Sequence, residues 1–305
     1  MYDIEAIYEA ESPAHAVELL QKYSQSVIIA GGTDVLIKIR EGMLAGCTLI
    51  SIQKLDELRG VSIDTNGTIR IGSLSSFSHI SKDPIISKYI PTLAEAVETI
   101  GGPQIRNIGT IGGNICNNCN GYNGHSTCKG ITSADSAPTL LAFDAVLEYL
   151  GPCGKRLVPI KEHYVGRGGT ALKNDEILQA IIISKESYEN CFGDYIKYAT
   201  RNAMDIAILN CSANVTLSND RKTIERLRIA YGVAEAIPIR AYSAEKTIEG
   251  KPITSEIVTL AAQAALNDIN PRTSWRAQKE FRIHLAKELA KRSITESLKR
   301  AGVLL

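Results

Sequence analysis

Val27-Ile28-Ile29-Ala30-Gly31-Gly32-Thr33-Asp34-Val35 decides how this chain begins to fold. A run of apolar, mostly β-branched residues reads as a buried strand, and Gly31-Gly32 stops it in a turn. Consecutive glycines carry no Cβ, so successive backbone N–H groups of such a turn can converge on an anion. Thr33 sets a hydroxyl donor beside them. Upstream, Ser12 and Pro13 open a helix over 13–22, with Val17, Leu19 and Leu20 on its apolar face. Downstream, Leu49 to Ile52 and Thr68 to Ile71 read as strands. Pro91 to Glu98 reads as a helix closed by Gly101-Gly102-Pro103.

A second glycine turn, Gly109-Thr110-Ile111-Gly112-Gly113-Asn114, lies within a glycine- and asparagine-rich stretch over 101–131. A loop of that length inside a domain is usually functional. Together the two turns are candidates to cradle the two phosphates of a dinucleotide, and each is alternatively a plain structural turn. Neither has the G-x-G-x-x-G spacing, and there is no P-loop or G-x-S-x-G sequence. Rossmann dehydrogenases, P-loop hydrolases and serine hydrolases of the nucleophile-elbow type are therefore disfavoured.

Strands follow near 144–150, 156–160 and 176–184, interrupted at Gly166 to Gly169. From about 188 the style changes. Tyr195 to Ala199, Ile206 to Leu217 and Leu227 to Val233 read as long strands of a mostly antiparallel sheet. Helices follow at about 254–268 and 275–300, the second rich in Lys and Arg. Strands followed by helices make an α+β pattern. The expected domains are 1–187, with parts of about 1–58 and 59–187, and 188–305.

The composition fits this reading. Of 305 residues 44% are hydrophobic, and 34 basic side chains face 33 acidic ones, for a net charge of +1. Such a balance argues against a nucleic-acid or anionic-membrane footprint. No apolar run approaches the roughly 20 residues of a spanning helix. The first residues carry no basic and apolar export pattern, so a cytoplasmic protein is expected. An odd count of seven cysteines suits reduced thiols.

AGGTDVL at 30–36, GPQIRNIGTIGGNIC at 102–116, TSADSAP at 132–138, YIKYATRNAMDIA at 195–207 and PRTSWRAQKEFR at 271–282 occur in this order. In them the chain resembles the FAD-binding subunits of molybdenum hydroxylases, those of three-subunit bacterial xanthine dehydrogenases above all. The resemblance implies a two-part FAD-binding domain of the vanillyl-alcohol-oxidase type, then a C-terminal α+β domain. It implies that Val27, Ile28, Ile29, Ala30, Gly31, Gly32, Thr33, Asp34 and Val35 wrap the FAD pyrophosphate. Thr110, Gly113 and Asn114 would form the facing wall, with Ile100 near the flavin. Asp135 would bind the adenosine or ribityl part, Leu178 the adenine, and Lys197 would reach the flavin. Read without the resemblance, Asp135 is a helix cap, Leu178 a core residue and Lys197 a solvated strand charge.

No catalytic side chain is implied, because the bound cofactor carries the chemistry. The implied function is electron transfer from iron–sulfur clusters through FAD to NAD. The implied partners are a molybdopterin-binding large subunit and a two-cluster iron–sulfur small subunit, in a dimer of heterotrimers. The alternatives are the flavin subunit of a nicotinate or aromatic acyl-CoA enzyme, or a non-catalytic FAD-binding scaffold.

One departure stands out. Asn118 to Lys129 intervene between GGNIC and TSADS, where the flavin subunit of 4-hydroxybenzoyl-CoA reductase has a longer insertion holding a [4Fe–4S] cluster. Cys116, Cys119 and Cys128 are candidate cluster ligands, one short of the usual four. A Cys₃His zinc site with His125 and free thiols are the other readings.

Overall fold

The computed structural model describes residues 2–117, 133–166 and 169–305. Cys119, His125 and Cys128 of the insertion, and Arg167 and Gly168, lie outside the described residues.

Among the described residues, three sheets organise the fold. The first is parallel, with β1 (Ile4–Glu9) and β2 (Val27–Ile29) flanking β3 (Cys47–Ser51). Helix Pro13–Lys22 connects β1 to β2. The Ser12 hydroxyl accepts from the His15 N–H at its start, and Ala16, Val17, Leu19 and Leu20 pack with Ile50 and Ile52. Burying each large apolar side chain contributes about 1.5–3 kcal/mol. β2 is half-buried rather than buried, because it is an edge strand that walls a cleft.

The second sheet is antiparallel and holds β4 (Val61–Ile63), β5 (Ile69–Gly72), β6 (Val146–Gly151), β7 (Gly154–Pro159) and β8 (Ile177–Ile183). Its order is β4-β5-β8-β6-β7. Pairs such as Ile69 with Ile183 and Ile71 with Ile181 point to the same side and build the largest core. Helices Pro91–Glu98 and Ser136–Ala142 contribute Leu93, Val97, Ala137, Leu140 and Leu141 to it.

The third sheet, β12-β11-β10-β9, is also antiparallel. It comprises β9 (Cys191–Tyr198), β10 (Leu209–Leu217), β11 (Ile224–Gly232) and β12 (Ile239–Arg240). Alternation along β10 splits its work. Cys211, Ala213 and Val215 share a core with Leu289, Ala290 and Ile294 of helix Lys279–Arg300. Asn210 and Asn214 instead donate to Asp135 and to the Ala142 carbonyl at the two ends of helix Ser136–Ala142. The third sheet therefore docks on the rest of the chain through a polar face. Arg228 reinforces that contact, donating to Asp144 at 2.9 Å and to the Ser187 carbonyl at 2.6 Å.

Two expectations change. The described part of the stretch, 101–117, is not a plain loop: Pro103–Ile108 and Ile111–Ile115 are short helices, started by Pro103 and by the Thr110 side-chain cap. The last helix begins at Lys279, because 270–278 is tied into a loop in which Ser274 bridges Ala277.

Candidate functional site

A cleft of about 700 Å³ runs along the two glycine turns and is closed on its far side by 170–178. Its volume is within the range of small-molecule and cofactor sites, roughly 300–1,000 Å³. Val27, Ile28, Ala30, Gly31, Gly32, Thr33, Asp34, Val35, Ile100, Thr110, Gly113, Asn114 and Leu178 line it, as does Cys116. Ile29 faces the other way, into a cluster with Ile39 and Leu49. Asp135 and Lys197 do not line it.

The turns touch each other through backbone. A Cβ on Gly31 would lie 1.9 Å from the Ile108 carbonyl oxygen, so only glycine fits. Gly32 has φ +72°, in the left-handed region that glycine enters without steric cost. The N–H groups of Gly31, Gly32 and Thr33 make no hydrogen bond among the described residues. The Asp34 carboxylate is held 2.5 Å from Lys38 Nζ, which also donates to Asn117 Oδ1 at 3.1 Å. This turn presents free donors to the cleft.

The second turn is built differently. Its Ile111, Gly112, Gly113 and Asn114 N–H groups bond to the Ser75 carbonyl, the Ser73 carbonyl, Thr110 Oγ1 and the Thr110 carbonyl. They cannot form the second amide nest that the glycines suggested. Gly112 instead allows close packing, since a Cβ there would stand 2.7 Å from the Ser73 oxygen. The polar group offered to the cleft is the Asn114 side chain. Its Oδ1 accepts from Ser136 Oγ at 2.7 Å, which orients the remaining amide donors.

Asp135 and Lys197 stand behind this wall as a buried pair, 2.7 Å apart. Asp135 occupies the N-cap position of helix Ser136–Ala142 but makes no capping bond. Its carboxylate accepts from Asn210 Nδ2 at 2.8 Å and from the Tyr195 hydroxyl at 3.1 Å. Burial raises its pKa, against the pull of Lys197, Asn210 and Tyr195. Lys197 also donates to the Thr99 carbonyl at 3.0 Å, one residue from Ile100 in the cleft wall. The pair is linked to the cleft wall through Thr99, which accepts from Lys197, and through Ser136, next to Asp135 and bonded to Asn114.

Sequence reading missed Lys38, Lys173 and Glu176, which also line the cleft. Burial disfavours the Glu176 carboxylate, yet bonds from Arg156 at 2.6 and 2.7 Å outweigh it and hold the pKa low. Its place beside the noted Leu178 was the available signal. Burial pushes the Cys116 thiol up to about 12.

His163 supports the end of the second turn. Its Nε2 is 3.0 Å from the Ile115 carbonyl, which can only accept, so Nε2 carries the proton and Nδ1 accepts from the Tyr149 hydroxyl. Burial lowers its pKa to about 4, against a usual 6.5. The folded state therefore loses stability as pH falls from 6.5 towards 4, by up to about 3 kcal/mol. His163→Gln should flatten that loss, as measured by urea unfolding across the same pH window. An unchanged acid profile would assign the loss elsewhere.

Residues 2–185 match the family described as the FAD binding domain in molybdopterin dehydrogenase. Residues 194–297 match the CO dehydrogenase flavoprotein C-terminal domain. The chain is 39% identical over 302 residues to a xanthine dehydrogenase FAD-binding subunit of Escherichia coli O157:H7, covering 99% of each. It is 32% identical over 243 residues to the nicotinate dehydrogenase FAD-subunit of Eubacterium barkeri, covering 78% of this chain and 77% of that one. Among solved structures, a chain of carbon monoxide dehydrogenase from Hydrogenophaga pseudoflava superposes with a TM-score of 0.89 at 27% identity, covering 98% and 99%. No helix among the described residues is long and apolar enough to cross a membrane.

Proposed function

Because this chain belongs to the family of FAD-binding medium subunits of molybdenum hydroxylases, we propose that it is the flavin subunit of a xanthine dehydrogenase and passes electrons to NAD. The class is an oxidoreductase subunit. The observation that carries the narrower reading is the 39% identity across 99% of both chains, against 32% over a shorter span for the nicotinate subunit.

The cleft fits FAD on its own features. The free N–H groups of Gly31, Gly32 and Thr33 suit a pyrophosphate. Gly31 lets that turn pack against Ile108, and Gly32 lets it take the left-handed φ that shapes it. Asn114 would add one oriented amide, and Ile100 and Leu178 give apolar surface for the ring systems. Lys38 lies in the same wall, its charge partly offset by Asp34. Asp135 and Lys197 hold the wall from behind. Bound FAD would supply exchange of single electrons with iron–sulfur centres and of an electron pair with a nicotinamide. The protein's part is to hold that group rigidly and shield it, and no side chain here is assigned a proton-transfer role.

The proposed division of the chain at 187/188 is supported by the family matches, which leave only 186–193 between them. The assembly proposed is a dimer of heterotrimers with molybdopterin and iron–sulfur subunits. A [4Fe–4S] cluster on Cys116, Cys119 and Cys128 stays within the proposal on spacing alone, and iron, zinc and sulfide analysis of anaerobically purified protein decides it.

The function is tested by adding NADH and an artificial electron acceptor to the purified flavin-loaded chain. NADH-dependent dye reduction is the expected result. Flavin without turnover, in the chain and in the full complex, would leave the scaffold reading in place of the enzyme.

A further inference from the structure

The loop before the last helix and the first turn of that helix hold three arginines, Arg272, Arg276 and Arg282, with no ion-pair partner among the described residues. Arg282 is 1% exposed, donating to the Ile208 carbonyl and, at 2.9 Å, to Ser274 Oγ. The Nε groups of Arg276 and Arg282 are buried without a hydrogen-bond partner among the described residues. Burial lowers the Arg282 pKa, and the charges that lower it further are Arg272 and Arg276. Among the described residues no carboxylate is within ion-pair distance of the three, and none acts on Arg282.

Beside the arginines stands exposed aromatic surface. Trp275 is 80% exposed, with the Arg276 guanidinium 4.2 Å from its ring centroid. Phe281 and Tyr198, 42% and 40% exposed, meet edge to face. The loop is rigidly held. Ser274 N–H bonds the Ala277 carbonyl at 2.9 Å, and Lys279 bonds Thr273 Oγ1 through its N–H and Asn270 Oδ1 through Nζ. Trp275 thus sits at the tip of a fixed turn and would lose little freedom on being covered.

Like charges gathered around a buried guanidinium are unfavourable unless an anion joins them. Tryptophan, tyrosine and arginine are also the side chains that dominate protein interfaces. We infer that Trp275, Phe281, Tyr198 and the Arg272–Arg276–Arg282 cluster form a docking surface for a partner subunit that presents carboxylates around an apolar centre. A free small anion would satisfy the arginines but leave three aromatic rings in water. This inference rests on the proposed membership of a multi-subunit assembly.

The test uses the full complex, purified by a tag on another subunit and diluted while its dissociation is followed. Trp275→Ala, at a side chain too exposed to matter for folding, should raise the dissociation constant about 30-fold or more. Arg276→Glu should raise it further, and both isolated chains should keep wild-type flavin content. A wild-type chain that never copurifies with another subunit would refute the assembly reading itself. A wild-type complex that forms and is unmoved by either variant would overturn the docking surface alone. Self-association of the isolated chain that Trp275→Ala abolishes would replace the partner with a second copy. Binding of inorganic phosphate lost in Arg276→Glu, with assembly unchanged, would leave a small-anion site only.

Discussion

Gly31→Ala should destabilise the chain and empty the cleft of FAD, and it should do so more severely than Gly32→Ala. The two glycines are neighbours in one motif, yet they are glycine for different reasons. At Gly31 the added carbon would overlap the Ile108 carbonyl oxygen at 1.9 Å, with the Gly109 Cα at 3.3 Å. Both obstacles are backbone, so one turn has to move. Overpacking of that kind costs about 1–3 kcal/mol and at times more. The movement also displaces the free N–H groups proposed to hold the pyrophosphate. At Gly32 the nearest atoms belong to the Leu36 side chain at 3.1 Å, and the main cost is the left-handed φ of +72°, about 1–2 kcal/mol. Thermal unfolding and FAD affinity of the two variants give the comparison. Equal effects, or a Gly31→Ala chain with wild-type flavin, would contradict the packed-turn geometry.

Lys197→Met should cost about 3–5 kcal/mol, because it leaves the Asp135 carboxylate buried with no cation. Asp135→Asn should cost a comparable amount by stranding Lys197. The double variant Asp135→Asn/Lys197→Met should recover much of the loss, since an amide can still accept from Asn210 and Tyr195. Urea unfolding of the four chains closes the cycle. Single variants within about 0.5 kcal/mol of wild type would show that the pair does not hold the sheet to the cleft wall. The FAD affinity of the single variants should fall as well, through Ser136 against Asn114 and through Thr99 beside Ile100.

The sequence made local features readable where one residue carries the cause. Ser12 and Pro13 start their helix where expected, and Pro91–Glu98 has the bounds that Pro91 and the following glycines imply. The strand and turn at 27–35 were legible for the same reason, whereas the thirteen named residues that line the cleft came from the family resemblance and not from a local signal. What depended on distant partners was not legible. The satisfied amides of Ile111 and Gly112 follow from the carbonyls of Ser75 and Ser73, which no neighbouring residue announces. Asp135 reads as a cap by its neighbours, and only the pairing of β9 with β10 brings Tyr195, Lys197 and Asn210 together around it. Short helices at 103–115 were hidden by a composition that is otherwise that of a loop.

The claim that matters most is that this cleft holds FAD, and flavin titration of the apo chain tests it most directly. One FAD should bind per wild-type chain. Asn114→Ala should weaken it by roughly 1–3 kcal/mol through loss of one oriented amide, and Gly32→Val should abolish it. Full flavin occupancy with unchanged affinity in both variants would contradict the assignment.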